Sequence, residues 1–113
     1  MHVYEPVAAG MQPTYANTRA VYVIDDLRSL HGPASGVVSL PIHLDWSMAS
    51  SYDLERPQRV RTLYATVLRE ATSEADLADL LNADLLAATW AELNLPAFVR
   101  SAWEEAHPEL RWR

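Results

Sequence analysis

Few residues in this chain could do chemistry, and their spacing says what that chemistry would be. His43 and Asp45 stand two apart in His43-Leu44-Asp45. On an extended strand that spacing puts both on one face, where imidazole and carboxylate could share a metal or relay a proton in a small hydrolase. No third ligand stands at a recognisable spacing from them. His31, beside Gly32, reads as a loop residue, and His107, before Pro108, as a helix C-terminal residue favoured by the helix dipole. Cysteine is absent, which removes disulfides, thiolate metal sites and cysteine nucleophiles. All nine bases are arginine, so neither a Schiff-base lysine nor a phosphate-loop lysine is available. The chain has no Gly-x-Ser-x-Gly, no phosphate-binding glycine loop and no His-Glu-x-x-His. These residues predict a protein that is not an enzyme, with no catalytic residue, no cofactor and no bound metal.

The charges are more informative. The formal net charge is −6, and it is unevenly spread. Residues 70–92 hold Glu70, Glu74, Asp76, Asp79, Asp84 and Glu92 without one arginine, whereas residues 54–69 set Arg56, Arg59, Arg61 and Arg69 against Glu55 alone. The acidic run reads either as a solvated helix face or as a surface for a basic partner. Arg56, Arg59 and Arg61 fall at a helix start, where the dipole disfavours cations, so other groups are expected to hold them; Asp53 and Glu55 are the favoured local candidates, a phosphate or a partner the alternative. An anionic chain lacks the basic footprint that nucleic acid requires. Direct nucleic-acid binding is therefore not expected, although Glu74 to Trp90 could be drawn as a helix-turn-helix and a small DNA-binding repressor is the alternative function.

Four tryptophans and five tyrosines are many for a core of this size. Trp90 and Trp103 fall on inner helical faces and should be core. Trp112 stands beyond Pro108, where it should not easily reach the core, and Tyr4, Tyr15, Trp46 and Tyr52 lie in or beside irregular segments. Since Trp, Tyr and Arg are enriched in interface hot spots, the candidate partner-binding residues are Tyr4, Tyr15, Trp46, Tyr52, Arg56, Arg59 and Trp112.

The elements that must position these residues are α+β. The pattern predicts a short N-terminal β-hairpin or two-stranded sheet, then a compact bundle of three to four helices. Residues 1–18 read as an extended arm, 19–47 as the β part, 53–107 as the helical part and 108–113 as a tail, within one domain. Ala20–Ile24 is β-branched and aromatic enough for a strand. From Val38 to Trp46 apolar and polar residues alternate strictly, which predicts a half-buried strand; Pro41 within it points to a sheet edge or a break. In Pro57–Ala71 the apolar positions Val60, Leu63, Tyr64, Val67, Leu68 and Ala71 follow a helical stripe. Ser73 with Asp76 marks a helix start, Asn82 a break and a second cap, and Pro96 the start of a last helix that buries Phe98, Val99, Ala102, Trp103 and Ala106.

At 113 residues, half of them hydrophobic, the chain suffices for one modest core and excludes a two-lobed enzyme. No run approaches the roughly 20 apolar residues that span a bilayer, and residues 1–20 show no secretory signal. No membrane association and a cytoplasmic location are expected.

Ser35-Gly36-Val37-Val38-Ser39-Leu40-Pro41, Leu44-Asp45-Trp46-Ser47, Tyr52-Asp53-Leu54, Leu63-Tyr64, Val67-Leu68-Arg69-Glu70-Ala71, Leu95-Pro96, Ala102-Trp103-Glu104 and His107-Pro108 together resemble small actinobacterial proteins encoded beside nucleotidyltransferase-like toxins of the AbiEii and MenT type. The similarity covers roughly residues 20–110 and rests on framework residues, so it transfers no active-site residue. It implies an antitoxin, whose partner is a nucleotidyltransferase-like toxin that modifies tRNA. Many such antitoxins also read operator DNA, and this chain has no evident basic reader for it.

Overall fold

The computed structural model describes residues 2–4, 21–45 and 51–112, with the backbone alone at 2–4 and at Trp112. The fold is α+β. Strand β1 (His2–Tyr4) pairs antiparallel with β2 (Val21–Val23), Val3 opposite Tyr22, and β3 (Val37–Ser39) pairs antiparallel with β4 (Ser51–Asp53), Val38 opposite Tyr52. There are therefore two separate two-stranded ladders, and the two strand segments expected from the sequence each pair with a partner other than the other. The expected extended arm begins as β1; residues 5–18 lie outside the described residues.

The strand expected from Val38 to Trp46 is overturned beyond Ser39. Pro41 has no amide hydrogen for a ladder. After it the chain reverses, with the amides of Leu44 and Asp45 donating back to the Pro41 carbonyl at 3.0 and 3.2 Å. Val38, Leu40 and Leu44 are buried as the alternation implied, but Ile42 rides the turn at 73% exposure.

The helical half follows its pattern. Helix α1 (Pro57–Glu70) carries Pro57 in its first turn and buries Val60, Leu63, Tyr64, Val67 and Leu68 along one stripe, with Ala71 buried as its C-cap. Helix α2 (Glu74–Leu80) starts where the Ser73 hydroxyl accepts the Asp76 amide. Helix α3 (Ala83–Thr89) starts where the Asn82 side chain accepts the amides of Asp84 and Leu85, so the chain does break at Asn82. A 3-10 turn over Trp90–Glu92 follows. Helix α4 (Ala97–Ala106) buries Val99, Ala102 and Trp103, with Phe98 and Ala106 half-buried.

Trp90 and Trp103 sit together in the core, their ring centroids 6.3 Å apart. Arg100 lies over Trp90 and donates to the carbonyls of Trp90, which also accepts the Leu93 amide, and of Leu93, tying α4 to the end of the 3-10 turn. The C-terminal segment is not a loose tail. A 3-10 turn over Pro108–Trp112 folds back and buries Leu110 at 1% exposure. His107 is buried as well, and its Nε2 donates to the Ile24 carbonyl at 2.6 Å, tying the end of α4 to the residue after β2.

Candidate functional site

Of the seven candidate partner-binding residues, the structure brings three together, at the junction of β4 and α1. The Arg59 guanidinium carbon lies 4.2 Å from the centre of the Tyr52 ring, and its Nη2 donates to the Ser51 carbonyl at 2.8 Å. The Tyr52 hydroxyl donates to the Asp45 carboxylate. Burial and this anionic acceptor hold the Tyr52 phenol above its ordinary value. Arg56 lies 3.8 Å from Asp53, as its position suggested, and Asp53 also accepts the Glu55 amide. Arg59, in contrast, is held by a ring and a carbonyl. This junction is a packing device more than a free surface, because Tyr52 is only 3% exposed and offers no ring to a partner. Tyr15 and Trp46 lie outside the described residues. Tyr4 is placed in β1 opposite Val21, and Trp112 ends the C-terminal 3-10 turn, without description of either side chain.

His43 and Asp45 do not act as a pair. The turn that replaces the expected strand sends Asp45 to Tyr52 and His43 to Asp76, whose two carboxylate oxygens lie 3.1 and 3.2 Å from Nε2. Asp76 is a hub. Its side chain is 11% exposed and also accepts the amide and hydroxyl of Thr72. Burial alone would raise its carboxyl, but the Thr72 amide and His43 outweigh burial and hold it below the usual range. His31 makes a parallel, more exposed contact, with Nε2 2.9 Å from Asp79 and Nδ1 2.9 Å from the Ser29 carbonyl. Among the described residues no three of His, Cys, Asp or Glu gather as metal ligands. Each of these two histidines thus ties an N-terminal loop to α2.

The anionic surface is carried by α2 and α3. Glu74, Asp79 and Asp84 are exposed, and Glu74 and Asp84 make no ion pair among the described residues. The position of these helices is set by a clamp that no local pattern announces. The amides of His31 and Gly32 donate to the carbonyls of Ala78 and Leu81 at 2.9 and 2.8 Å. Asn82 returns a bond from its Nδ2 to the Gly32 carbonyl, and its own amide donates to the buried Tyr64 hydroxyl at 2.9 Å. The sequence signal for the clamp is Gly32 itself: a Cβ there would stand 2.5 Å from the Leu80 carbonyl carbon.

No helix among the described residues is long and apolar enough to cross a membrane. Compared with known proteins, the chain matches no family model, no curated protein and no solved structure.

Proposed function

We propose that this chain is a non-catalytic antitoxin that binds a nucleotidyltransferase-like toxin and neutralises it by covering the cleft with which the toxin would modify tRNA. The observation that carries the reading is the exposed anionic surface of α2 and α3, with Glu74, Asp79 and Asp84 presented from two short, clamped helices and no arginine among residues 70–92. A cleft that receives nucleoside triphosphate and tRNA must be cationic, so a fixed set of carboxylates steers the two proteins together and disfavours anionic competitors. The resemblance of residues 20–110 to antitoxins of this kind supports the same partner. The rival reading as a DNA-binding repressor gains no support from α2 and α3, because the second helix would bring Asp84 to the groove.

The test is co-expression and co-purification with the product of the adjacent gene, which this reading requires to be a nucleotidyltransferase. A tight stoichiometric complex and restored growth are expected. Reversing Glu74, Asp79 and Asp84 together to lysine should slow association about tenfold or more at low salt, and less at high salt. Absence of a complex, or growth arrest that co-expression does not relieve, would refute the proposal.

A further inference from the structure

The arginines of α1 and its N-cap divide into two kinds. Arg56 and Arg59 are held by Asp53, Ser51 and the Tyr52 ring. Arg61 and Arg69 are not held in this way. Among the described residues Arg61 has only Glu92, at 3.8 Å, and Arg69 only its chain neighbour Glu70, also at 3.8 Å. Both separations exceed hydrogen-bonding range, and neither guanidinium makes a hydrogen bond among the described residues. No acid stands three or four positions from either residue along α1, the spacing at which helical neighbours meet. Two guanidiniums, each with a planar fork of donors, are therefore left with most of their hydrogen-bonding capacity unused.

Both line the same cleft of about 400 Å³, between α1 and the segment after α3. Eight residues of helix separate them, a rise of about 12 Å, and the methyl of Ala65 lies between, 7% exposed. Gln58, Thr62, Thr66 and Asn94 complete the lining with amides and hydroxyls. The Thr62 hydroxyl donates to the Gln58 carbonyl, so toward a ligand its oxygen acts as an acceptor. Among the described residues no aromatic ring lines the cleft, so none there offers a platform for a stacked base. Its volume is that of a small-molecule site.

We infer that this cleft binds a small oxyanion, a phosphate or carboxylate on a hydroxyl-bearing body, with Arg61 and Arg69 gripping the anionic groups and the Thr and amide side chains taking the hydroxyls. Glu92 opposes a second negative charge at the Arg61 end, so its neutral variant binds more tightly. The site lies between α1 and the segment after α3 and uses none of the carboxylates on the α2–α3 surface proposed to meet the toxin.

The test is an amide chemical-shift titration of the full chain at constant ionic strength, with inorganic phosphate in one arm and citrate in the other. Saturable shifts at the amides of Gln58, Thr62, Thr66 and Asn94 are expected. Arg61→Gln or Arg69→Gln should weaken binding at least fivefold, and Glu92→Gln should strengthen it. Arg28→Gln removes the same charge from a remote, exposed side chain and should leave affinity within twofold. Saturation by phosphate alone assigns a phosphoryl ligand, and by citrate alone a carboxylate. Linear shifts in both arms, or equal losses for Arg28→Gln and Arg69→Gln, would overturn the inference.

Discussion

Replacing Gly32 by alanine should destabilise the fold far more than its surface-loop sequence suggests. An added Cβ would lie 2.5 Å from the Leu80 carbonyl carbon and 2.8 Å from both the Leu80 oxygen and the Leu81 nitrogen. All three are backbone atoms, so no side chain can swing aside. Ordinary carbon contacts begin near 3.5 Å, and the loop must therefore back away from the α2–α3 junction by roughly 1 Å. That movement stretches the Gly32 to Leu81 bond from 2.8 Å and the neighbouring His31 to Ala78 bond from 2.9 Å out of range. Two lost bonds cost about 1 kcal/mol each, and residual overpacking costs about 1–3 kcal/mol. The reduced freedom of the unfolded chain offsets this by about 0.4–1 kcal/mol. The net loss is about 2–5 kcal/mol, a large part of the stability of a domain this size.

Urea unfolding followed by tryptophan fluorescence reads this directly, because Trp90 and Trp103 are both buried. The midpoint should fall at unchanged slope, and Tm should drop by roughly 10 °C. Gly36→Ala supplies the comparison. Gly36 has φ of 86° and nothing within 4 Å of a Cβ, so alanine there meets only left-handed strain, about 1 kcal/mol. A Gly32→Ala loss under about 0.5 kcal/mol, or one smaller than that of Gly36→Ala, would refute the reasoning.

Other outcomes follow from the same contacts. Tyr64→Phe removes the acceptor of the Asn82 amide and should cost about 1–3 kcal/mol in urea unfolding. Burial pushes the Tyr64 phenol up to about 12 from its ordinary 10.0, although the Asn82 amide acts in the opposite direction. The folded state therefore holds that proton longer than the unfolded one, so its stabilisation is complete below pH 10 and is lost as pH rises toward 12, by about 3 kcal/mol in all. Midpoints measured across that range should fall less steeply in Tyr64→Phe. Asp76 has the opposite sign: its carboxyl is held below the ordinary 3.8, so its contribution is present above that value and fades as pH falls through the lowered one. Asp76→Ala should destabilise the fold near neutral pH and flatten the acid limb of a stability profile, and an unchanged acid limb would exclude Asp76 as the titrating group.

The helical half was legible because its signals are local. A 3.6-residue stripe, the Ser73 and Asn82 caps and the Pro96 start each need only a few neighbours, and all three are found in place. The β part was legible only to Ser39. Val38, Leu40 and Leu44 are buried whether the chain runs straight or reverses, so alternation did not separate a strand from a turn, and Pro41 decided it. The partners of the histidines are more distant still, 33 residues away for His43 and 83 for His107. The acidic run could be counted from the sequence, but the cleft between Arg61 and Arg69 could not, because it exists only once the segment at Glu92 and Asn94 is laid beside α1.

The charge count also overstates what a partner meets. Asp76 is turned inward to Thr72 and His43, Glu92 stands beside Arg61, and Asp79 stands beside His31. Glu74 and Asp84 are the exposed carboxylates of the run that have no counter-ion among the described residues. They sit on helices of seven residues each, too short to persist on their own. What holds them is the N-terminal half, through His31 to Asp79, His43 to Asp76 and Gly32 to Leu81. A loop residue that touches no partner can therefore alter binding by moving the carboxylates. His43→Ala should weaken the proposed toxin complex by a slower association and leave the overall unfolding midpoint close to that of the parent chain, because one partly exposed contact contributes about 1 kcal/mol or less. If association is unchanged by His43→Ala but slowed by reversing Glu74 and Asp84, the surface is read by charge alone and its fixed geometry plays no part.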